Sequence, residues 1–466
     1  MSTSLNHDSN SELIYQLEDK PGFLPASFAA LQHVLASIVG VVTPTLIVAG
    51  TLGLGAYIPY MISCALIASG IGTFIQSRKV GPVGAGMLCL QGTSFGFLTA
   101  IIAAGFIVKN RGGSPEDILA TIFGVSFCAA FVEIFLSRFI HKLQRIFTPV
   151  VTGTIIILIG IPLIKVAMTD IGGGFGADNF GSLQNLFLGG IVLLAVIAFN
   201  RAKSSMLRLS SVVIALILGM IAAFFMGLLD FSKLHNVGLI TIPTPFKFGF
   251  NFELAAFIPL MILFCVSALE TTGDLTANST ISKQPVTGPV YLERIRGGVL
   301  ADGVNSIIAT TLNSMPSTTF SQNNGVIALT GVASRHVGIY IAAILVVLGL
   351  FPIFGAVLQM MPKPVLGGAT LVMFGTVAVA GIRVLASARL DRRDMMIIAI
   401  SIGMGLGVSM VPDVLSQLPE LVRNVLISPV AMGAITAILL SLFLPEEKVS
   451  AVKPIPNKTG ELASPS

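Results

Sequence analysis

The sequence predicts an all-α membrane protein of fourteen transmembrane segments, arranged as two inverted halves of seven, with the third and tenth segments interrupted. Three observations carry this expectation. First, 54% of the 466 residues are hydrophobic, only 11% are charged, and the mean hydropathy is +0.91. Soluble domains carry about 25% charged residues, so lipid must be part of the solvent of this chain. Second, apolar runs of bilayer length recur along it. Third, the basic residues fall in short clusters between those runs, mostly on one side of the membrane.

Continuous apolar runs are read at 28–50, 54–76, 118–137, 148–168, 184–200, 210–229, 253–272, 336–357, 365–387, 395–411 and 425–444. Three more, 82–107, 296–313 and 317–333, are broken by Gly, Pro, Ser, Thr or Asn. With both ends cytoplasmic, only Lys109, Arg111, Lys165, Lys233, Lys247, Lys363 and Arg423 of the 27 Lys and Arg fall outside. Omitting one segment would reverse every later loop and erase that bias. Residues 1–27 and 446–466 are then cytoplasmic tails, and the polar start, with no basic n-region, is no signal peptide. The expected location is the cell inner membrane. The net charge of +5 is spread between segments, which excludes a nucleic-acid patch. Cys64, Cys89, Cys128 and Cys265 sit inside apolar runs without metal or disulfide spacing and read as small hydrophobes.

Two internal matches suggest a repeat. Gln91-Gly92-Thr93-Ser94-Phe95-Gly96 and Ser317-Thr318-Thr319-Phe320-Ser321-Gln322 are hydroxyl-rich stretches containing Phe, about half the chain apart. Pro149-Val150-Val151-Thr152-Gly153 pairs loosely with Pro364-Val365-Leu366-Gly367-Gly368. An odd number of spans per half makes the halves opposite in orientation, as in transporters whose interrupted segments frame a midplane site.

Intramembrane acids point to function because they are costly there. Glu270 and Asp274 lie one helical turn apart, on one face, at the cytoplasmic end of the eighth run. Asp274 is close enough to the interface for plain solvation to explain it. Asp302 stands in the ninth segment and His33 follows Gln32 in the first; helix cross-linking is the plain alternative for Asp302, and a core histidine for His33. Glu133 reads as a surface partner for Arg138. The tenth segment places Gln322 and Asn323 at membrane depth, where irregular backbone is tolerated only beside a cavity or packed protein. The Gln322 amide offers an acceptor and a donor side by side, matching the C=O and N–H of a lactam such as those of xanthine, urate and uracil. Glu270 would accept ring N–H protons in strong charge-assisted bonds.

The run Gln322-Asn323-Asn324-Gly325-Val326-Ile327-Ala328-Leu329-Thr330-Gly331 resembles in full the signature of the nucleobase–ascorbate transporter family (nucleobase:cation symporter-2). Gln32-His33, Glu270, Asp302 and Gly331-Val332-Ala333-Ser334-Arg335 resemble its bacterial xanthine and uric acid permease branch, and the likeness covers essentially the whole chain. It implies a homodimeric elevator with core segments 1–4 and 8–11 (28–140 and 251–358) and gate segments 5–7 and 12–14 (141–250 and 359–445). It also implies proton-coupled uptake of a purine base, xanthine or uric acid, since Gln at the first signature position goes with purines. Glu270 and Gln322 would bind the base, Asn323 would shape the site, and Ser94 and Phe95 would complete it through backbone amides. His33, Asp302 and Asp274 would serve proton coupling or core integrity. Thr93 and Ser428 stand where xanthine-preferring relatives often carry Asn, which leaves room for urate.

Other readings are weaker. A uracil or other nucleobase symporter is the nearest alternative. An anion carrier of similar architecture would want fixed positive charge in the interrupted segments, and neither contains Lys or Arg. An enzyme would need a catalytic motif, and the chain has no HExxH, no P-loop and no paired metal ligands. Gly403-Met404-Gly405-Leu406-Gly407 has no preceding strand and suits helix packing. No cofactor or metal is called for.

Overall fold

The computed structural model describes residues 13–140, 148–234, 238–388 and 390–444. The expected C-terminal tail, residues 1–12, and Lys142, Arg145, Arg389, Lys448, Lys453 and Lys458 lie outside the described residues.

The principal helices, in chain order, are α1 (Phe23–Leu52), α2 (Ile58–Arg78), α3 (Leu98–Asn110), α4 (Pro115–Ser137), α5 (Pro149–Ile171), α6 (Leu183–Asn200), α7 (Ser211–Phe225), α8 (Leu254–Ile281), α9 (Gly288–Thr311), α10 (Ser321–Thr330), α11 (Val337–Leu350), α12 (Ile353–Gln359), α13 (Lys363–Ala386), α14 (Arg392–Met410) and α15 (Pro429–Phe443), with short helical turns at Ser205–Leu209 and Glu420–Leu426. Two three-residue strands, β1 (Gln91–Thr93) and β2 (Ser317–Thr319), precede α3 and α10. The fold is therefore mostly helical and of membrane type. Among the described residues, eight helices are long and apolar enough to cross a bilayer by themselves.

Helix ends follow local chemistry. Ser114 caps α4 in a reciprocal box with Asp117, and Thr148 and Ser428 cap α5 and α15 ahead of Pro149 and Pro429. The run expected over 336–357 is not one helix: α11 and α12 meet at 74°. Pro352 sits at that break, and its missing N–H and ring stop α11. The eighth run is longer than expected and reaches Ile281. Beyond residue 272 the hydroxyls of Thr276 and Thr280 bond the carbonyls of Thr272 and Thr276 at 2.6 and 3.0 Å, one turn back. Glu270 and Asp274 thus sit well inside α8, not at its end.

Small residues set the packing. Along α5 and α13, a Cβ on Gly153 would stand 2.9 Å from the carbonyl of Gly381, one on Gly160 2.5 Å from the nitrogen of Ala378, and one on Gly367 2.8 Å from the carbonyl of Ala167. The two helices therefore run antiparallel with backbones in contact, in the manner of small-residue interfaces in membranes. Gly405 closes α14 against the Pro429 carbonyl at the start of α15, which agrees with a packing role for its glycine-rich run. Residues 14–18 are tied down: Ile14 and Tyr15 donate to the Gly331 carbonyl, Ala333 and Arg335 donate to Tyr15 and Leu17, and Arg335 pairs with Glu18 at 2.7 Å.

Candidate functional site

The site forms where β1 and β2 pair antiparallel, with Gln91 opposite Thr319, Gly92 opposite Thr318 and Thr93 opposite Ser317. Ser94 donates to the Pro316 carbonyl at 2.9 Å and Phe320 to the Leu90 carbonyl at 3.1 Å, which extends the ladder at both ends. The pairing satisfies backbone groups that helix would otherwise satisfy, so extended chain persists among buried helices. It also brings the N-terminal ends of α3 and α10 to one place, where a helix carries partial positive charge. Close approach depends on glycine. A Cβ on Gly92 would stand 2.5 Å from the Phe320 ring, and one on Gly40 of α1 would meet the same ring at 2.8 Å.

The loop before β1 is anchored from three helices. Asn278 of α8 and Asn323 of α10 each donate to the Leu88 carbonyl at 2.8 Å, and Gln76 of α2 accepts from the Ala85 N–H at 3.0 Å.

A cavity of about 60 Å³ opens beside the strand crossing. One wall is polar: Ser94, Phe95 and Gly96 after β1, Glu270 of α8, and Thr318 to Gln322 of β2 and α10. The facing wall is Ile156 and Ile159 of α5 with Val377 of α13. Phe95 packs edge-on against Phe374 of α13 at 5.5 Å, so aromatic and aliphatic surface faces the polar side.

Of the residues expected to bind, Glu270, Gln322, Ser94 and Phe95 are brought together here. Thr93 and Asn323 do not line the cavity; both are buried just behind it. Asn323 faces His33, and neither ring nitrogen of that buried histidine, nor the Asn323 Oδ1, has a well-formed hydrogen bond. Ser428 is also away from the cavity lining and caps α15 by accepting from the Ala431 N–H at 3.3 Å.

Asp302 is a junction. One carboxylate oxygen accepts from Gln91 at 2.5 Å and from Gln76 at 3.3 Å; the other accepts from Thr318 at 3.2 Å and from Thr271. It thereby ties α2, β1, α8 and β2 to α9. Asp274 is held by Thr319 at 3.0 Å, and its carbonyl accepts from Asn324 at 3.0 Å, so simple solvation does not describe it. Glu133 corrects the sequence reading outright. It is fully buried, makes no ion pair with Arg138, and faces Ser267 of α8. Gln76, Thr271 and Thr318 were not singled out as site residues, although Thr318 lies in the hydroxyl-rich stretch and Gln76 is a rare amide in an otherwise apolar run.

Comparisons with known proteins agree with this architecture. The model of the Permease family matches residues 25–414. The chain is 47% identical to the xanthine permease XanP of Escherichia coli strain K12 over 444 residues, 94% of this chain and 96% of that one. It is 45% identical to the xanthine permease XanQ of the same organism over 447 residues, 95% and 96% of the two chains. The nucleobase transporter PlUacP of Paenibacillus larvae is 36% identical over 413 residues, 88% and 92%. Among solved structures, the transmembrane domain of a cyanobacterial bicarbonate transporter, BicA, aligns with a TM-score of 0.56 at 14% identity, covering 92% of this chain and 99% of that one. The murine solute carrier 26 member A9 aligns at 0.59 and 12% identity, covering 91% and 69%. The last two likenesses concern the fold alone. The relatives matched over nearly their full length are permeases, not enzymes, and this chain belongs to the nucleobase–ascorbate transporter family.

Proposed function

We propose that the chain takes up a purine base, xanthine or uric acid, together with protons. One observation carries the reading: Glu270 and Gln322 share one cavity wall beside the ends of two short helices. A carboxylate and an amide there complement the alternating N–H and C=O edge of an oxopurine. The high identity to two xanthine permeases supports the substrate class. Four carboxylates, Glu133, Glu270, Asp274 and Asp302, stand on α4, α8 and α9. Acids inside the membrane are costly and suit a proton relay, which favours the proton as coupling ion. Uracil or another nucleobase is the second reading, favoured by the likeness to a relative named only as a nucleobase transporter.

The mechanism proposed is an elevator of fourteen segments in two inverted halves, working as a homodimer in the inner membrane with both chain ends cytoplasmic. Residues 28–140 and 251–358 form the moving core, and 141–250 with 359–445 form the gate. The two walls of the cavity support that division, since the polar wall falls in the first set of residues and Ile156, Ile159 and Val377 in the second. A cavity of about 60 Å³ holds a few waters and must widen to admit a fused-ring base. Sliding at the aliphatic wall would widen it without breaking hydrogen bonds. His33, Asp302 and Asp274 hold the core together or carry the coupling proton. Thr93 and Ser428 tune selectivity from behind the cavity, Thr93 through its neighbour Ser94.

Competition of labelled xanthine uptake by a purine panel, with and without a protonophore, tests the reading. Urate should compete, adenine and uracil should not, and the protonophore should abolish accumulation. Uptake that survives the protonophore but requires sodium would refute proton coupling, and competition by uracil alone would refute the purine assignment.

A further inference from the structure

Among the described residues, Glu133 is a fully buried acid with no cation partner and no part in binding the base. It lies on α4, which packs against α3, α8 and α9. Its side chain is fully buried and neither oxygen has a hydrogen bond of good geometry. The crossing that buries it is tight: a Cβ on Gly303 of α9 would stand 2.9 Å from the nitrogen of Ile134 and 3.3 Å from the carbonyl of Ala130. Glu133 and Asp302, each one residue from that contact, are therefore held at the same crossing. A carboxylate buried without a cation is costly, and binding a proton removes most of that cost.

Hydroxyls connect it to the site. Ser267 of α8 faces Glu133. The Ser267 hydroxyl lies 3.4 Å from that of Thr318, and Thr318 donates to Asp302 at 3.2 Å. Other ionisable groups nearby are Cys265 and Glu270 on α8 and Asp302 on α9. Asp274, one turn beyond Glu270, is bonded to Thr319. Lys109, the basic residue of α3, is bonded to the Leu52 carbonyl at 2.9 Å. On the other side, a cleft of about 450 Å³ is lined by Ser137, Arg138, Arg296, Gly297 and Leu300. Ser137 is one helical turn from Glu133, and the cleft opens on the face where the basic clusters place the cytoplasm.

We propose that Glu133 carries the coupled proton between the purine-site carboxylates and this cleft, by a route separate from that of the base. The proposal rests on the proton-coupled reading above. In each cycle the Glu133 carboxylate takes one proton from the Asp302 side through Thr318 and Ser267, then yields it to water in the cleft. No other bond changes. Glu133 is thus a proton-positioning residue that never touches substrate.

The test reconstitutes the full chain in proteoliposomes carrying a trapped pH dye. It measures labelled xanthine counterflow without a gradient, and proton entry per xanthine under a gradient. Glu133→Gln should keep counterflow within about twofold of wild type while coupled proton entry and gradient-driven accumulation fall at least tenfold. Glu133→Asp should restore at least half of both. Unchanged proton entry per xanthine in Glu133→Gln overturns the proposal, as does loss of counterflow and proton entry in proportion without rescue by Glu133→Asp. If Glu133→Gln aggregates on size exclusion, Ser267→Ala carries the test, with the same split expected and equal proton entry overturning it. Wild type that accumulates xanthine with no proton entry refutes the coupling reading itself, a result distinct from failure of the Glu133 route.

Discussion

Replacing Asp302 separates its architectural work from its charge. Four donors reach its carboxylate, but they are not equally dependent on it. Gln76 also donates to the Gly298 carbonyl at 2.9 Å, and Thr318 has the Ser267 hydroxyl at 3.4 Å. Thr271 retains a 3.3 Å approach to Thr319. Among the described residues the Gln91 amide N–H₂ has no other acceptor. In Asp302→Ala the bonds to Gln91 and Thr271 vanish, each worth about 1.5–3 kcal/mol because one partner is charged. The expected loss is about 4 kcal/mol, before any cavity cost. In Asp302→Asn one oxygen still accepts from Gln91 and Gln76. The new N–H₂ faces Thr271 and Thr318, whose hydroxyls can turn to accept. Only the charge assistance is lost, about 1 kcal/mol for each of the two strong bonds, or about 2 kcal/mol in all. Equilibrium unfolding of the purified protein in mixed micelles should therefore rank wild type above Asn and Asn above Ala, with about 2 kcal/mol between steps. An Ala variant as stable as the Asn variant would refute the account of Asp302 as the tie between five elements.

Glu270→Gln should leave the protein in the membrane and cut xanthine affinity by roughly one to two decades, the equivalent of one charge-assisted hydrogen bond; binding within twofold of wild type would remove Glu270 from the site. Gln322→Glu should weaken purine recognition and alter ligand ranking, because the carboxylate loses the N–H₂ donor, and an unaltered ranking would argue against contact. Gly92→Ala should destabilise by about 1–3 kcal/mol through overpacking, since the Phe320 ring is also pressed against Gly40; a compensating Phe320→Leu should recover part of the loss, and no recovery would mean the clash is taken up elsewhere. Thr93→Asn should shift preference from urate towards xanthine, and failure of urate to compete with wild type even in large excess would sink that reading.

How far these features could be read from sequence depends on what each residue must satisfy. The apolar runs were legible because bilayer thickness fixes their length, and α5, α6 and α13 fall within a few residues of expectation. The carboxylates of α8 were legible because an acid in an apolar run is conspicuous. The end of α8 was not, because its last turns are Thr, Asn and Ser, which read as interface but bond carbonyls of their own helix. Glu133 was misassigned for a related reason. Helices such as α4 are apolar on every side, so no hydrophobic face shows which way a residue points. Proximity in sequence then suggested Arg138, whereas packing of Gly303 against α4 turns Glu133 inward. The role of Gln76 depends on a loop folding back from residue 79 to 90, which local pattern does not encode.

The shared fold with anion transporters raises the question of what selects the cargo. The paired strands and facing helix ends bring backbone partial positive charge to one point in a membrane. The bicarbonate transporter and the solute carrier 26 member share that fold. In the present chain the cavity wall holds Glu270 and no Lys or Arg. Asp302 sits behind β2, bonded to Thr318 of that wall. Asp274 is bonded to the neighbouring wall residue Thr319. A small anion without N–H donors placed there would meet carboxylate charge at low dielectric with nothing to offset it. A base that presents N–H donors to the acid and carbonyls to the helix ends would satisfy both. On the proposed function, the scaffold would fix where polar chemistry can exist inside the bilayer, and the acids on α8 and α9 would decide which hydrogen-bonding edge can use it. On that reading, substituting Glu270 should impair transport sooner than it alters the fold, so stability and transport should separate at Glu270 and travel together at Asp302.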